Sequence, residues 1–199
     1  EAWTWEHMAL TRARPVYGSA ALQARLTEVI RTALVQPRDI KKLLVDVDTM
    51  RNRIAREFAA KSEWDVKYRP GGLVDVEFTV QALQLAYAAE NPSILSTNTA
   101  DALERLQAAG YLTEPAFTAL REGLRLWRQV QAAIRLTAPG GGFDASSALE
   151  GQKRALARAA GVDTFEDLAP RMEIVAQAVR GQYEALIATP AARYRKDLT

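Results

Sequence analysis

Hydrophobic positions along this chain recur with a helical period. Residues 20–35 place Leu22, Leu26, Val29, Ile30, Ala33 and Leu34 on one face behind a Ser19 N-cap, and Pro37 ends the segment. Residues 39–60 repeat apolar positions at Leu43, Val47, Met50, Ile54 and Phe58, as an amphipathic helix requires. Residues 61–72, with Pro70, Gly71 and Gly72, read as a loop. A short helix over 98–109 closes at Gly110, and Thr113 caps a longer one running to about Leu136, with Glu114 and Pro115 in its first turn. Pro139-Gly140-Gly141-Gly142 is a flexible break. Beyond it two helices are expected, over 148–160 and 165–188, the second opening on Thr164 and Asp167; the basic tail Arg193-Tyr194-Arg195-Lys196 is expected to fray.

One segment is ambiguous. Leu73 to Val80 alternates with period two, which suggests a strand. Over the wider window to Glu90, Val76, Val80, Leu83 and Tyr87 cluster on one side of a helical wheel, with Phe78 and Leu85 on another. A helix apolar on two sides is a buried central helix, and the sequence predicts that here. In a helix Asp75 and Glu77 stand about 200° apart and cannot share a metal. The same objection meets Asp46-Val47-Asp48, which imitates the DxD of nucleotidyltransferases but lies in an amphipathic helix without a preceding Gly-Ser turn; a solvated helix surface is expected there. The resulting fold class is all-α, an irregular bundle of six to seven helices with a C-terminal helical pair. It divides into 1–18, 19–139 and an extension of the same domain over 143–199.

Composition narrows the chemistry. The 199 residues carry 26 Lys+Arg against 24 Asp+Glu, a net charge of +2, too little for a general nucleic-acid field. There is no cysteine and a single histidine, which excludes disulfides, thiol nucleophiles and multi-His metal sites. No apolar run approaches the roughly 20 residues of a membrane span, and no secretory signal is visible; a cytoplasmic location is expected. The chain opens Glu1-Ala2-Trp3, so a longer parent is expected.

Two stretches are not generic. The first runs Trp3-Thr4-Trp5-Glu6-His7-Met8-Ala9-Leu10-Thr11-Arg12-Ala13-Arg14-Pro15-Val16-Tyr17-Gly18. The second runs Tyr68-Arg69-Pro70-Gly71-Gly72-Leu73-Val74-Asp75-Val76-Glu77-Phe78. Together, with Asp48-Thr49-Met50-Arg51-Asn52-Arg53-Ile54 between them, they resemble the glutamine synthetase adenylyltransferase/adenylyl-removing family over roughly residues 1–137. The resemblance implies the helical domain that follows a nucleotidyltransferase fold, most simply that of the C-terminal, adenylylating half. The parent enzyme would transfer AMP from ATP to a tyrosine of glutamine synthetase, with a second half reversing the step. Residues 1–18 would then be the helix leaving the nucleotidyltransferase domain. Implied partners are glutamine synthetase, the PII signal protein and the parent's nucleotidyltransferase domain, with glutamine as an effector. No nucleic acid and no membrane are implied. ATP and magnesium would serve the parent, none bound by this segment, which on its own is expected to be inactive.

Each candidate residue carries a functional and a plain structural alternative. Arg12 and Arg14 either reach nucleotide phosphates in the parent's cleft or pair with local acids; on a helix they would point about 200° apart. Gly71 and Gly72 either offer backbone N–H groups to an anion or make a tight turn. Asp75 and Glu77 either face a domain interface as regulatory groups or close salt bridges to an arginine such as Arg12, Arg53 or Arg69. Glu6 is a further interface candidate, and His7 beside tryptophan reads as packing. Arg121, Arg125, Arg128 and Arg135 fall within about 80° on one helix without an acid on the line. They either meet an acidic partner or bridge to neighbouring helices. The competing function is therefore an independent helical interaction module that binds an acidic protein through that stripe. A weaker one is the helical domain of a related uridylyl-transferring sensor, against which the Trp-Glu-His segment speaks.

Overall fold

The computed structural model describes residues 3–138 and 142–197, and those residues contain helices and no strand. The helices are α1 (Thr4–Leu10), α2 (Ala20–Leu34), α3 (Ile40–Glu57), α4 (Leu73–Tyr87), α5 (Thr99–Ala108), α6 (Glu114–Thr137), α7 (Glu150–Ala160), α8 (Leu168–Tyr183) and α9 (Thr189–Asp197). A 3₁₀ turn covers Pro92–Ile94 and a π-helical turn Glu184–Ala188. The ambiguous segment is helix α4, and Val76, Val80 and Leu85 on it are all buried, so the two-sided apolar pattern outweighed the local alternation. The predicted break over 139–142 lies, apart from Gly142, outside the described residues.

The described residues form two compact units, each assembled from segments distant in sequence. The first comprises residues 1–50, 77–117 and 184–199. Its core is built on Leu43, Val47, Val80, Leu83, Ile94, Leu103 and Leu106. Its helix ends are satisfied locally. The Ser19 hydroxyl accepts from the Leu22 N–H, as expected, and Asn98 caps α5 through the Ala100 N–H. Arg38 donates to the carbonyls of Ala33 and Leu34, closing α2 where Pro37 prevents its extension. Tyr87 stacks on Tyr111 with ring centres 4.1 Å apart.

Three expectations change in this unit. The α2 face read as core points largely outward: Leu22, Leu26 and Val29 are 48%, 42% and 61% exposed, and among its apolar residues only Leu34 is buried. An amphipathic pattern states that a face wants cover, not that this chain supplies it. The basic tail does not fray but forms α9. Pro190, its second residue, has no N–H to give to a preceding turn, and the ladder widens to a π turn just before it. Residues 143–199 therefore hold three helices rather than a pair. Finally, Asp48 is not on a solvated surface. It is buried and pairs with Arg195 of α9 at 2.6 Å, while Asp46 accepts from the Thr4 hydroxyl and from Lys42. Both carboxylates are thus committed to structural partners.

The second unit comprises residues 51–76 and 118–183. Its core is Leu120, Leu126, Trp127 and Val130 from α6, Leu156 and Ala160 from α7, and Leu168, Met172 and Val179 from α8. Trp64 stacks on Phe165 at 5.3 Å and meets Phe143 edge-on at 4.9 Å. The loop over 61–72 is a series of turns, as expected, and it carries most of this unit's polar chemistry.

Candidate functional site

The densest polar arrangement surrounds Asp75 in the second unit. The Tyr68-Arg69-Pro70-Gly71-Gly72 turn feeds α4, and Asp75 lies in the first turn of that helix, fully buried. One carboxylate oxygen takes the Arg51 guanidinium Nε. The other takes the Gly71 N–H at 2.6 Å and lies 3.5 Å from Arg180. Arg51 is itself buried and also donates to the carbonyls of Tyr68 and Arg69 at 3.2 and 3.4 Å. The Gly71 carbonyl receives the Trp127 indole N–H at 3.0 Å. Beside it Arg69 pairs with Glu173 at 2.6 Å and lies over the Trp127 ring. A carboxylate with no access to water is tolerated because its acceptor sites are filled by donors, two of them cationic.

The glycines are dictated by space. Gly71 has φ +71°, and a Cβ there would stand 1.9 Å from the Ala176 carbonyl oxygen. At Gly72 a Cβ would fall 2.6 Å from the Val66 carbonyl oxygen. Their N–H groups are engaged within the fold, Gly71 to Asp75 and Gly72 to the Arg69 carbonyl at 2.9 Å, and both residues are buried. The geometry here is the tight turn, and neither N–H is directed to an outside anion.

The remaining candidates are dispersed. Arg12 and Arg14 are not on a helix, because α1 ends at Leu10 and the residue before Pro15 is steered away from helical backbone. The helical-wheel angle between them therefore does not apply. Arg12 pairs with Glu77 at 2.8 Å within the first unit, joining the two sequence stretches singled out above; Arg14 is exposed and has no ion pair among the described residues. Glu6 accepts from the Trp3 N–H at 2.7 Å and so secures the start of α1. His7 is partly buried, which lowers its pKa below the usual histidine range, with the nearby Arg38 charge acting in the same direction.

On α6, Arg121, Arg125, Arg128 and Arg135 are all exposed. The stripe is not free of acid: Glu122 pairs with Arg125 at 3.0 Å and with Arg171 of α8 at 2.7 Å, and these two hold its carboxyl below the ordinary range. Sequence reasoning missed Arg51, because it named Arg12, Arg53 and Arg69 as partners for the α4 acids. The Met-Arg-rich stretch contained it, and a buried acid was the signal to look for a buried base. Among the described residues, no three His, Asp or Glu side chains converge as metal ligands, and no helix is long and apolar enough to cross a membrane.

A helical unit organised around a buried turn defines the class, and comparison with known proteins gives the family. Residues 38–187 match the family model described as GlnD PII-uridylyltransferase, and the chain belongs to that family. Over 187 residues, 94% of its length, it is 39% identical to a protein of a Bradyrhizobium species named bifunctional glutamine synthetase adenylyltransferase/adenylyl-removing enzyme. Proteins of the same name from Rhodopseudomonas palustris and Caulobacter vibrioides are 38% and 40% identical over the same share of the chain. The chain spans about a fifth of the length of these relatives, 19% in each case. The relatives therefore bear the name of the enzyme that the Trp-Glu-His and Gly-Gly stretches resemble.

Proposed function

We propose that this chain is the helical regulatory and substrate-docking domain of a glutamine synthetase adenylyltransferase, following the C-terminal nucleotidyltransferase domain of the parent. The parent transfers AMP from ATP to a tyrosine of glutamine synthetase, with magnesium, and reverses the step in its other half. The observation that carries this reading is the likeness to adenylyltransferases over 94% of the chain. The Arg12–Glu77 pair supports it further, since it ties the Trp-Glu-His stretch to the Gly-Gly stretch at a partly exposed position. On this reading magnesium chemistry belongs to residues outside this chain, and the pairing of Asp46 with Lys42 and Thr4 and of Asp48 with Arg195 supports it. Arg12 and Arg14 are the groups offered to the neighbouring catalytic domain. Glutamine synthetase, PII and glutamine are the partners and effector, in the cytoplasm.

The test joins this chain to the nucleotidyltransferase domain of a relative and supplies ATP, magnesium and glutamine synthetase. The expected result is labelling of glutamine synthetase by the joined protein and none by the chain alone. A joined, folded protein that labels nothing refutes the reading. The alternative, an independent module binding an acidic protein, draws on the exposed Arg128 and Arg135, which have no acid partner among the described residues. It would be favoured if the chain retained an unrelated acidic protein but neither glutamine synthetase nor PII.

A further inference from the structure

The second unit holds a cavity of about 730 Å³ that none of the preceding chemistry uses. That volume lies in the range of small-molecule sites, roughly 300–1,000 Å³. Its walls are apolar and aromatic, with Trp64, Val66, Ile134 and Phe143 among them. Its polar lining is dominated by Lys61, Lys67 and Arg135, against a single carboxylate, Asp65. None of these three cations has a carboxylate partner among the described residues; Lys67 lies 4.6 Å from the centre of the Tyr68 ring. In the same unit Arg51, Arg69, Arg125 and Arg171 are matched to acids, whereas three cations without an acid line this one cavity.

We infer that this cavity binds a nucleoside polyphosphate, its base against the Trp64–Phe143 wall and its phosphates on Lys61, Lys67 and Arg135. Lysine and arginine are strong phosphate partners, and a planar base gains about 1–3 kcal/mol on an aromatic wall. The apolar wall and the cationic lining are each satisfied by half of such a ligand. Inorganic polyphosphate would satisfy only the lining, and a nucleoside only the wall. The inference does not rest on the adenylyltransferase reading, because it concerns binding by this chain alone.

The experiment titrates the full chain with ADP, inorganic pyrophosphate and adenosine, by calorimetry and tryptophan fluorescence. ADP is expected to bind with Kd below about 1 mM and to quench fluorescence, with pyrophosphate and adenosine each at least about tenfold weaker. Lys61→Ala with Arg135→Ala should weaken ADP at least about tenfold, with circular dichroism and Tm unchanged because both side chains are exposed and unpaired. Trp64→Phe should remove the ADP-dependent quench. The inference is overturned if ADP does not bind, if pyrophosphate binds as well as ADP, or if the folded double variant binds ADP like the parent chain.

Discussion

Replacing Asp75 by asparagine keeps its size and an acceptor for the Gly71 N–H but removes the charge opposite Arg51. Arg51 then remains buried with only the Tyr68 and Arg69 carbonyls for company. Breaking a buried pair from one side costs about 3–5 kcal/mol, and the two carbonyls place this case toward the lower end. Asp75→Ala also strands the Gly71 N–H and should cost about 1–3 kcal/mol more. For a chain of this length each kcal/mol lowers Tm by about 2–4 °C, so Asp75→Asn should lower it by roughly 6–20 °C. The double variant Asp75→Leu with Arg51→Met removes both charges, while Arg180 can turn to water; with the Gly71 N–H still stranded, it should be more stable than Asp75→Leu alone without regaining the full stability of the parent chain. Urea and thermal unfolding of the parent chain, Asp75→Leu, Arg51→Met and the double variant give the coupling directly. If Asp75→Asn costs less than about 1 kcal/mol, or the double variant is no better than the single, Asp75 is not held as described.

Three further outcomes are expected. Gly71→Ala should cost more than about 4 kcal/mol or yield no folded protein, whereas Gly110→Ala, with φ +79° and nothing within 4 Å of its Cβ, should cost only about 1–2 kcal/mol; parallel urea melts compare them. Arg195→Ala leaves Asp48 buried without that cation and should cost about 1–3 kcal/mol, against less than about 0.5 for exposed Arg193→Ala, as read by Tm. Because the folded pKa of His7 lies below 6.5, the unfolded chain takes up the proton first as pH falls. Stability should therefore decline below about pH 6.5 with a slope that His7→Gln reduces, and an unchanged slope in unfolding experiments at pH 5 to 8 would contradict this.

The helices were legible where local chemistry decides them. Ser19 begins α2 and Gly110 closes α5 as a hydroxyl and a missing side chain dictate, and α4 yielded once the window exceeded a strand's length. What stayed hidden depends on distance along the chain. Asp75 and Arg51 are 24 positions apart, and Asp48 and Arg195 are 147 apart. No period or cap links such residues; only the fold does. The same holds for α2, whose pattern names an apolar side without naming what lies opposite, and for Gly71, whose constraint is a carbonyl contributed by α8.

The outward Leu22, Leu26 and Val29, with Val16 and Tyr17 just before them, set how the purified chain will behave in the laboratory. It should adhere to phenyl resin and be released by falling ammonium sulfate, because excluded salts drive such oily skin out of water. Leu22→Lys with Val29→Glu should make it elute earlier and tolerate higher concentration before the solution clouds.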